Sequence, residues 1–273
     1  MRLRRHTKHF DSLSTVVEYI STTPRHWSVD SSEKDGAGQS WDLGAGYQGA
    51  LKLASLGWSD GARNLASGLE RLRPQATSHY RRYSVAGQRL NVSRYVTGNP
   101  RCMYTKHPTD GTKPAIRLAV NIVANAGTSA ANMSNYGLAI ASYIEQLEQA
   151  GYKVEVLAVL PARFTDNTKL DRAVYTWTVK PLHSRMNFSD VAFSIGHTGC
   201  FRRLGFALLE RTPCPTEYGY GVASDVTSAD LPDGNYIILN GMKSANQHST
   251  TPEDALAHVA KVVHAAMTDQ GLL

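Results

Sequence analysis

The alternation of strand-like and helix-like segments after residue 113 constrains the fold more than any other feature of the sequence. Ile116–Ala124 is a largely apolar run of the length expected for a buried strand. Asn132–Gln149 then carries apolar residues at helical spacing, and a second apolar run, Lys153–Leu160, follows Gly151. Because a helix that joins two strands of one sheet makes a right-handed crossover, we expect these strands to be parallel neighbours.

The alternation continues towards the end of the chain. Further strands are predicted at Ala173–Val179, Val191–Ile195 and Tyr236–Asn240, and further helices over Phe201–Leu209 and Pro252–Thr268. The pattern predicts an α/β fold in which a mostly parallel sheet is flanked by helices.

Three regions are predicted along the chain. Residues 1–40 form a polar N-terminal segment, residues 41–113 a basic region with helical and hairpin elements, and residues 114–273 the α/β domain. Within the first region, apolar residues at helical spacing predict a short helix over Asp11–Ile20, beginning after Ser12.

The basic region is predicted to contain an N-terminal helical hairpin and a small β-hairpin. The first helix is expected over Tyr47–Leu56 and ends at Gly57, and the second runs from Ser59 to about Leu72. The β-branched and aromatic residues on both sides of Ala86-Gly87 are typical of a β-hairpin.

Positive charge is concentrated in the same region. Between Gly61 and Pro108 there are nine basic residues and one acid, Glu70, which gives a local charge of +8. The whole chain carries +6, so the rest of it sums to −2. Arginine and lysine neutralise phosphates, and tyrosine rings can stack on the bases of a single strand.

This composition predicts a nucleic-acid-binding surface, and because the tyrosines can stack on unpaired bases we favour single-stranded DNA. No base-reading motif is present, so we expect binding that tolerates many sequences. The predicted contact residues are Arg71, Arg73, Tyr80, Arg81, Arg82, Tyr83, Arg89, Arg94, Tyr95, Arg101, Tyr104 and Lys106. An acidic protein partner, or a solvated basic surface with no specific role, remain open as alternatives. DNA and RNA are not distinguished by these residues.

Loops at the carboxyl ends of strands are the other candidate ligand site, because open α/β sheets bind ligands there. They are Asn125–Ala130, Gly196–Gly199 and Asn240–Ser244. The first leads into a helix N-terminus but lacks the phosphate-loop and dinucleotide motifs, so a tight turn with a helix cap is the simpler interpretation. An enzyme would need a pocket assembled by Asn125, His197 and Asn240.

Catalytic and metal-binding patterns are weak throughout the sequence. The ten histidines and three cysteines are not spaced as metal ligands, and there is no Gly-x-Ser-x-Gly nucleophile motif. His197 and Cys200 suggest a thiol pair, but a cysteine at the start of an apolar helix is more often buried. We therefore predict a non-enzymatic protein without a metal or cofactor.

The same survey predicts a cytoplasmic protein without membrane contact. No apolar run reaches the ~18 residues of a membrane span, and the basic start is not followed by the apolar region of a secretory signal. Three widely spaced cysteines fit a reducing compartment. The sequence leaves the oligomeric state open, a homo-oligomer included.

Two stretches resemble a family of uncharacterised bacteriophage and mobile-element proteins. The resemblance is carried by Trp41–Gly61 and by Val92–Met103, Ala119–Ile122 and Tyr143–Val156, and covers roughly residues 41–160. It implies the cytoplasm of a bacterial host and a role in replication or transcription. Some phages related to the N4 group encode a single-stranded-DNA-binding cofactor of their own RNA polymerase, so a phage or host polymerase, or a replication protein, is the implied partner.

The C-terminal half also resembles the opening of a von Willebrand factor A domain. That family carries Asp-x-Ser-x-Ser after its first strand and binds a divalent metal there. The corresponding stretch here is Asn125–Ser129, in which only the last serine matches and the carboxylate is missing. The resemblance therefore implies a lost metal site, and an alternative function as a degenerate protein–protein interaction module.

Overall fold

A six-stranded sheet organises the computed structural model, which describes residues 3–27, 32–33, 39–63, 82–86, 89–90, 95–105, 113–165, 170–213 and 219–272. The described strands are, in chain order, β1 (Leu3–Phe10), β2 (Arg82–Ser84), β3 (Arg89–Leu90), β4 (Met103–Thr105), β5 (Ala115–Asn121), β6 (Lys153–Thr165), β7 (Leu170–Lys180), β8 (Val222–Ala223) and β9 (Ile237–Leu239).

The main sheet has the order β1-β7-β6-β5-β9, and β8 pairs with β6. Strand β5 is parallel to both β6 and β9, and β1 is parallel to β7. The prediction that Ile116–Ala124 and Lys153–Leu160 form neighbouring parallel strands is confirmed. The β6–β7 and β6–β8 pairs are antiparallel, so the sheet is mixed although most of its pairs are parallel.

The described α-helices are, in chain order, α1 (Leu13–Thr22), α2 (Gln39–Asp42), α3 (Gly46–Leu56), α4 (Ala130–Gln149), α5 (Phe188–Val191), α6 (Phe206–Leu209), α7 (Ala245–His248) and α8 (Pro252–Asp269). Two π-helical segments, Ala192–Gly196 and Cys200–Gly205, lie between α5 and α6. Short 3-10 turns follow at Ser228–Asp230 and Gly241–Ser244.

Local signals explain most of these helices. Ser12 caps α1 by accepting the backbone N–H of Thr15, and Thr251 caps α8 before Pro252. Helix α3 ends at Gly57, whose φ of 76° requires glycine. The predicted helix from Ser59 onwards is helical over residues 59–63, and its remainder lies outside the described residues.

The helices pack on one face of the main sheet. Their buried side chains join the alternate strand residues Ile116, Leu118 and Val120 in one large apolar cluster. The opposite face carries a smaller cluster that contains Ala119 and Leu157. Loop residues around Val226 and Leu231 cover that second face, and among the described residues no helix contributes to its cluster.

One predicted strand is wrong. Val191–Ile195 is helical, since α5 ends at Val191 and a π-helical segment follows it. A short apolar run has the same composition whether it is a buried strand or a buried helix, so periodicity could not separate the two. Asn187 decides the outcome locally, because its side chain accepts the backbone N–H of Ser189 and caps the helix.

The predicted β-hairpin is present in a different arrangement. Strands β2 and β3 lie on either side of Ala86-Gly87, but both pair antiparallel with β4, which lies between them. A three-stranded sheet satisfies the central strand on both edges, which a two-stranded hairpin cannot do.

Strand β1 was not predicted, and it places the start of the N-terminal segment in the main sheet. It pairs with β7 from Leu3–Leu170 to Phe10–Trp177. Its sequence is rich in arginine, lysine and histidine and lacks an apolar alternation, which is the composition of an edge strand. Among the described residues, no helix is both long and apolar enough to cross a membrane.

Candidate functional site

The structure describes half of the predicted nucleic-acid contacts. Arg71, Arg73, Tyr80, Arg81, Arg94 and Lys106 lie outside the described residues. The other predicted contacts fall on two neighbouring features, the small sheet and the turn that leads into it.

The small sheet brings three of the predicted contacts to one register position. Tyr104, on the central strand β4, pairs with Tyr83 on one side and with Arg89 on the other. Arg82 pairs with Thr105 at the next position. The antiparallel order therefore gathers residues that are separated by up to 23 positions in the sequence.

The turn before β4 is the most accessible part of this region. Tyr95 is 62% exposed and Val96 is 76% exposed, and every residue from 95 to 101 is exposed. The turn is held by its own backbone: Gly98 donates to the carbonyl oxygen of Tyr95 at 3.0 Å. Asn99 accepts the N–H of Arg101 at 3.0 Å, which fixes Arg101 two residues before β4.

The first and the third of the strand-end loops are hydrogen-bonded to each other. Asn125 Nδ2 donates to the carbonyl oxygen of Lys243 at 3.1 Å, and Asn246 Nδ2 donates to that of Gly127 at 2.8 Å. Ser129 caps α4 by accepting the N–H of Asn132 at 3.1 Å. This confirms the interpretation of the first loop as a turn with a helix cap.

The Gly196–Gly199 loop lies elsewhere, because it connects two helical segments and follows no strand. The Nδ1 atom of His197 accepts the N–H of Gly199 at 3.0 Å, and its ring meets the Trp58 ring edge-on at a centroid distance of 4.6 Å. Burial lowers the pKa of His197 to about 4, against the opposing influence of Asp42. Cys200 is buried, and burial raises the pKa of its thiol, which therefore stays protonated.

A pocket does open beside Asn125, with walls other than those expected. Its volume is about 240 Å³, and its lining includes Trp41, Arg202, Phe206 and Tyr220. Neither His197 nor Asn240 lines it. Asn240 instead bonds Asn121 and Val226 inside the fold.

Comparison with known proteins assigns the chain to a family without a known activity. A family model described as a domain of unknown function, DUF7192, matches residues 3–270. The chain belongs to the DUF7192 family. No curated protein and no solved structure gives a significant match.

The match spans β1 to α8, so the DUF7192 unit contains both sheets. It names no site residue. The phage origin and the von Willebrand-like interpretation remain predictions. In the described part of this DUF7192 chain, no three histidine, cysteine or acidic side chains are grouped so that they could hold a metal ion.

The environment of His197 predicts an acid-sensitive stability for the DUF7192 chain. The pKa of this histidine is lower in the folded protein than in the unfolded protein, so the unfolded protein takes up the proton first as the pH falls. The contribution of His197 to the free energy of unfolding is therefore fully present above the unfolded pKa of 6.5 and is lost as the pH drops towards 4. Between about pH 7 and about pH 5, the protonation of this histidine should lower the free energy of unfolding by about 2 kcal/mol. Urea unfolding at a series of pH values measures the loss.

A His197→Asn variant isolates this contribution, because an amide oxygen can accept the Gly199 N–H and does not titrate. His248 and His258 also have pKa values that are lowered chiefly by burial, so they too reduce stability as the pH falls. Their effect is the same in the parent and in the variant. The variant should lose about 2 kcal/mol less than the parent over this pH interval. Identical pH profiles would contradict the assignment.

Proposed function

We propose that this protein binds single-stranded DNA without catalysis, through the basic segment between Gly61 and Pro108, in phage replication or transcription. The exposed turn that holds Tyr95 and Arg101 is the observation that supports it most strongly. An exposed ring and an exposed arginine in one turn offer one surface for a base and one for a phosphate.

Charge pairing in the rest of the chain supports the same segment. In the α/β domain, Arg172 Nη2 lies 2.6 Å from Asp230 Oδ2, and Arg203 Nη2 lies 2.7 Å from Asp42 Oδ2. These arginines are committed to internal ion pairs. The basic segment has one acid of its own, Glu70, so its positive charge exceeds what its own carboxylates can neutralise.

The ring of Tyr95 can be tested separately from the charges. Tyr95→Leu should weaken binding of a single-stranded oligonucleotide about 5- to 150-fold, because a base–aromatic stack contributes about 1–3 kcal/mol. The dependence on salt should not change, since no phosphate contact is lost. Tyr95→Phe is the matched control: it keeps the ring and should bind like the parent. Fluorescence anisotropy measures both variants.

Arg101→Met tests the phosphate contact. The variant should bind more weakly, and the slope of log affinity against log salt should become shallower by about 0.7, the value for one neutralised phosphate on a single strand. Arg185→Met removes another exposed arginine, outside the segment, and should leave the slope unchanged. Equal effects of the two substitutions on the slope would contradict the basic segment as the DNA-binding site.

A protein-docking function is the alternative that a specific observation favours. Val85 and Val96, which lie within the basic segment, are 69% and 76% exposed, and nucleic-acid interfaces are more polar than such side chains. If the protein does not bind DNA at low salt, this surface is better explained as a docking site for an acidic protein. A polymerase or replication protein as partner follows from the phage resemblance alone.

A further inference from the structure

The pocket beside Asn125 lies at the carboxyl end of β5, where Val123 and Ala124 line it next to Ala162 of β6. This is the edge of an α/β sheet at which ligands bind. No part of the DNA-binding proposal uses it, because the small sheet and the exposed turn contribute no lining residue.

Arg202 places a buried positive charge at this pocket. Its side chain is 2% exposed, with Nη1 2.6 Å from the carbonyl oxygen of Trp41 and Nη2 2.9 Å from that of Thr128. Its guanidinium lies over the Trp41 ring at 4.1 Å. Among the described residues, no carboxylate is hydrogen-bonded to it, and the neighbouring carboxylate of Asp42 is bound by Arg203.

A buried guanidinium whose hydrogen bonds, among the described residues, all go to carbonyl oxygens is poorly compensated. Carbonyl groups satisfy its N–H donors but do not neutralise its charge, and an unneutralised charge away from water is unfavourable. Burial lowers the pKa of Arg202 to about 10, in keeping with this environment, while the Coulombic attraction of Asp42 opposes that shift. An anion that enters the pocket would supply the missing charge.

The other walls are aromatic and arranged for a flat ligand. The Phe206 and Tyr220 rings are stacked at a centroid distance of 4.0 Å with an interplanar angle of 7°. The Trp41 ring lies 6.4 Å from that of Phe206. Planar rings bind well against such surfaces, in offset-stacked or edge-to-face arrangements.

We propose that this pocket binds a small aromatic carboxylate, with the carboxylate towards Arg202 and the ring against the aromatic side chains of Trp41 and Phe206 that line the pocket. Its 240 Å³ volume lies below the ~300 Å³ at which pockets begin to accept drug-sized ligands, so the ligand has one or two rings. A nucleotide, with its sugar and phosphates, exceeds this size.

Indole-3-carboxylate and its uncharged analogue indole-3-carboxamide are the probes, titrated into the intact protein by calorimetry. The two molecules have nearly the same shape and differ in charge. The carboxylate should bind at least about tenfold more tightly, because a charge-assisted hydrogen bond to a buried guanidinium is lost in the amide. Equal affinities, or no binding of either probe to folded protein, would overturn the proposal.

Arg202 also holds the backbone, so variants that fill the pocket give a test that keeps it intact. Ala126→Phe and Ala223→Phe each place a ring among the lining residues, and both should abolish carboxylate binding. Ala131→Phe is the matched control, since Ala131 is exposed on α4 outside the pocket, and it should bind like the parent. Binding retained by both pocket variants, with circular dichroism showing that they are folded, would contradict the assignment.

Discussion

Replacing Asp42 by asparagine is expected to lower the free energy of unfolding by about 3–5 kcal/mol, because it leaves a buried arginine without its countercharge. Asp42 is fully buried and receives Arg203 Nε at 2.8 Å. It also accepts the backbone N–H groups of Gly44 at 3.0 Å and Gly46 at 3.1 Å. The NH2 group of an asparagine side chain would face one of the N–H groups that the carboxylate now accepts. The loss therefore includes a hydrogen bond as well as the charge.

Urea unfolding of two comparison variants shows whether burial is the cause. Asp60→Asn makes the same chemical change in the exposed Asp60–Arg63 pair and should cost less than about 1 kcal/mol. Adding Arg203→Met to Asp42→Asn should recover part of the loss, since the charge that Asp42 no longer neutralises is then removed. A loss at Asp42 no larger than that at Asp60 would contradict a structural ion pair at the centre of the fold.

Gly137→Ala is expected to destabilise the protein by about 2–3 kcal/mol. A Cβ atom at Gly137 would lie 2.4 Å from the Cα atom and 2.7 Å from the backbone N of Gly196, so helix α4 and the π-helical segment would have to separate. Alanine is otherwise the better helix former by about 1 kcal/mol, so any net loss reports the close approach.

The reciprocal substitution is the control. A Cβ atom at Gly196 would meet its nearest neighbours at 3.8 Å, an ordinary contact, so Gly196→Ala should change stability by less than about 1 kcal/mol. Chemical unfolding followed by circular dichroism compares the two. Similar effects of both substitutions would show that this helix contact is less close than the structure indicates.

The elements that the sequence predicted correctly are those with more than one signal. Strand β5, helix α4 and strand β6 combine apolar runs, helical periodicity and a glycine at the helix end. Helix α1 has both its apolar spacing and the Ser12 cap. In these segments local preference and tertiary burial agree, so each could be recognised without knowledge of its neighbours.

The missed elements are those whose structure depends on partners distant in sequence. Strand β1 has no apolar alternation, and it is a strand because β7 supplies its hydrogen bonds. Strands β6 and β7 pair antiparallel, although the alternation predicted a mostly parallel sheet. No single-segment pattern specifies either pairing.

The pocket was missed for a related reason. Arg202 and Arg203 lie in an otherwise apolar helical sequence, which is a signal for buried charge that sequence reasoning did not use. Their partners, Trp41 and Asp42, are about 160 residues earlier in the chain. Sequence reasoning located the loop at Asn125, whereas the side chains that shape the pocket come together only in the folded protein.

The central claim is tested most directly by the affinity of the intact protein for a labelled single-stranded oligonucleotide over a series of salt concentrations, beside a duplex of the same sequence. We expect the single strand to bind more tightly, and log affinity to fall linearly with log salt. The slope should be no steeper than about −6, which corresponds to about −0.7 for each of the nine basic residues between Gly61 and Pro108. Failure to bind the single strand at low salt, or an affinity that salt does not change, would contradict the proposed function.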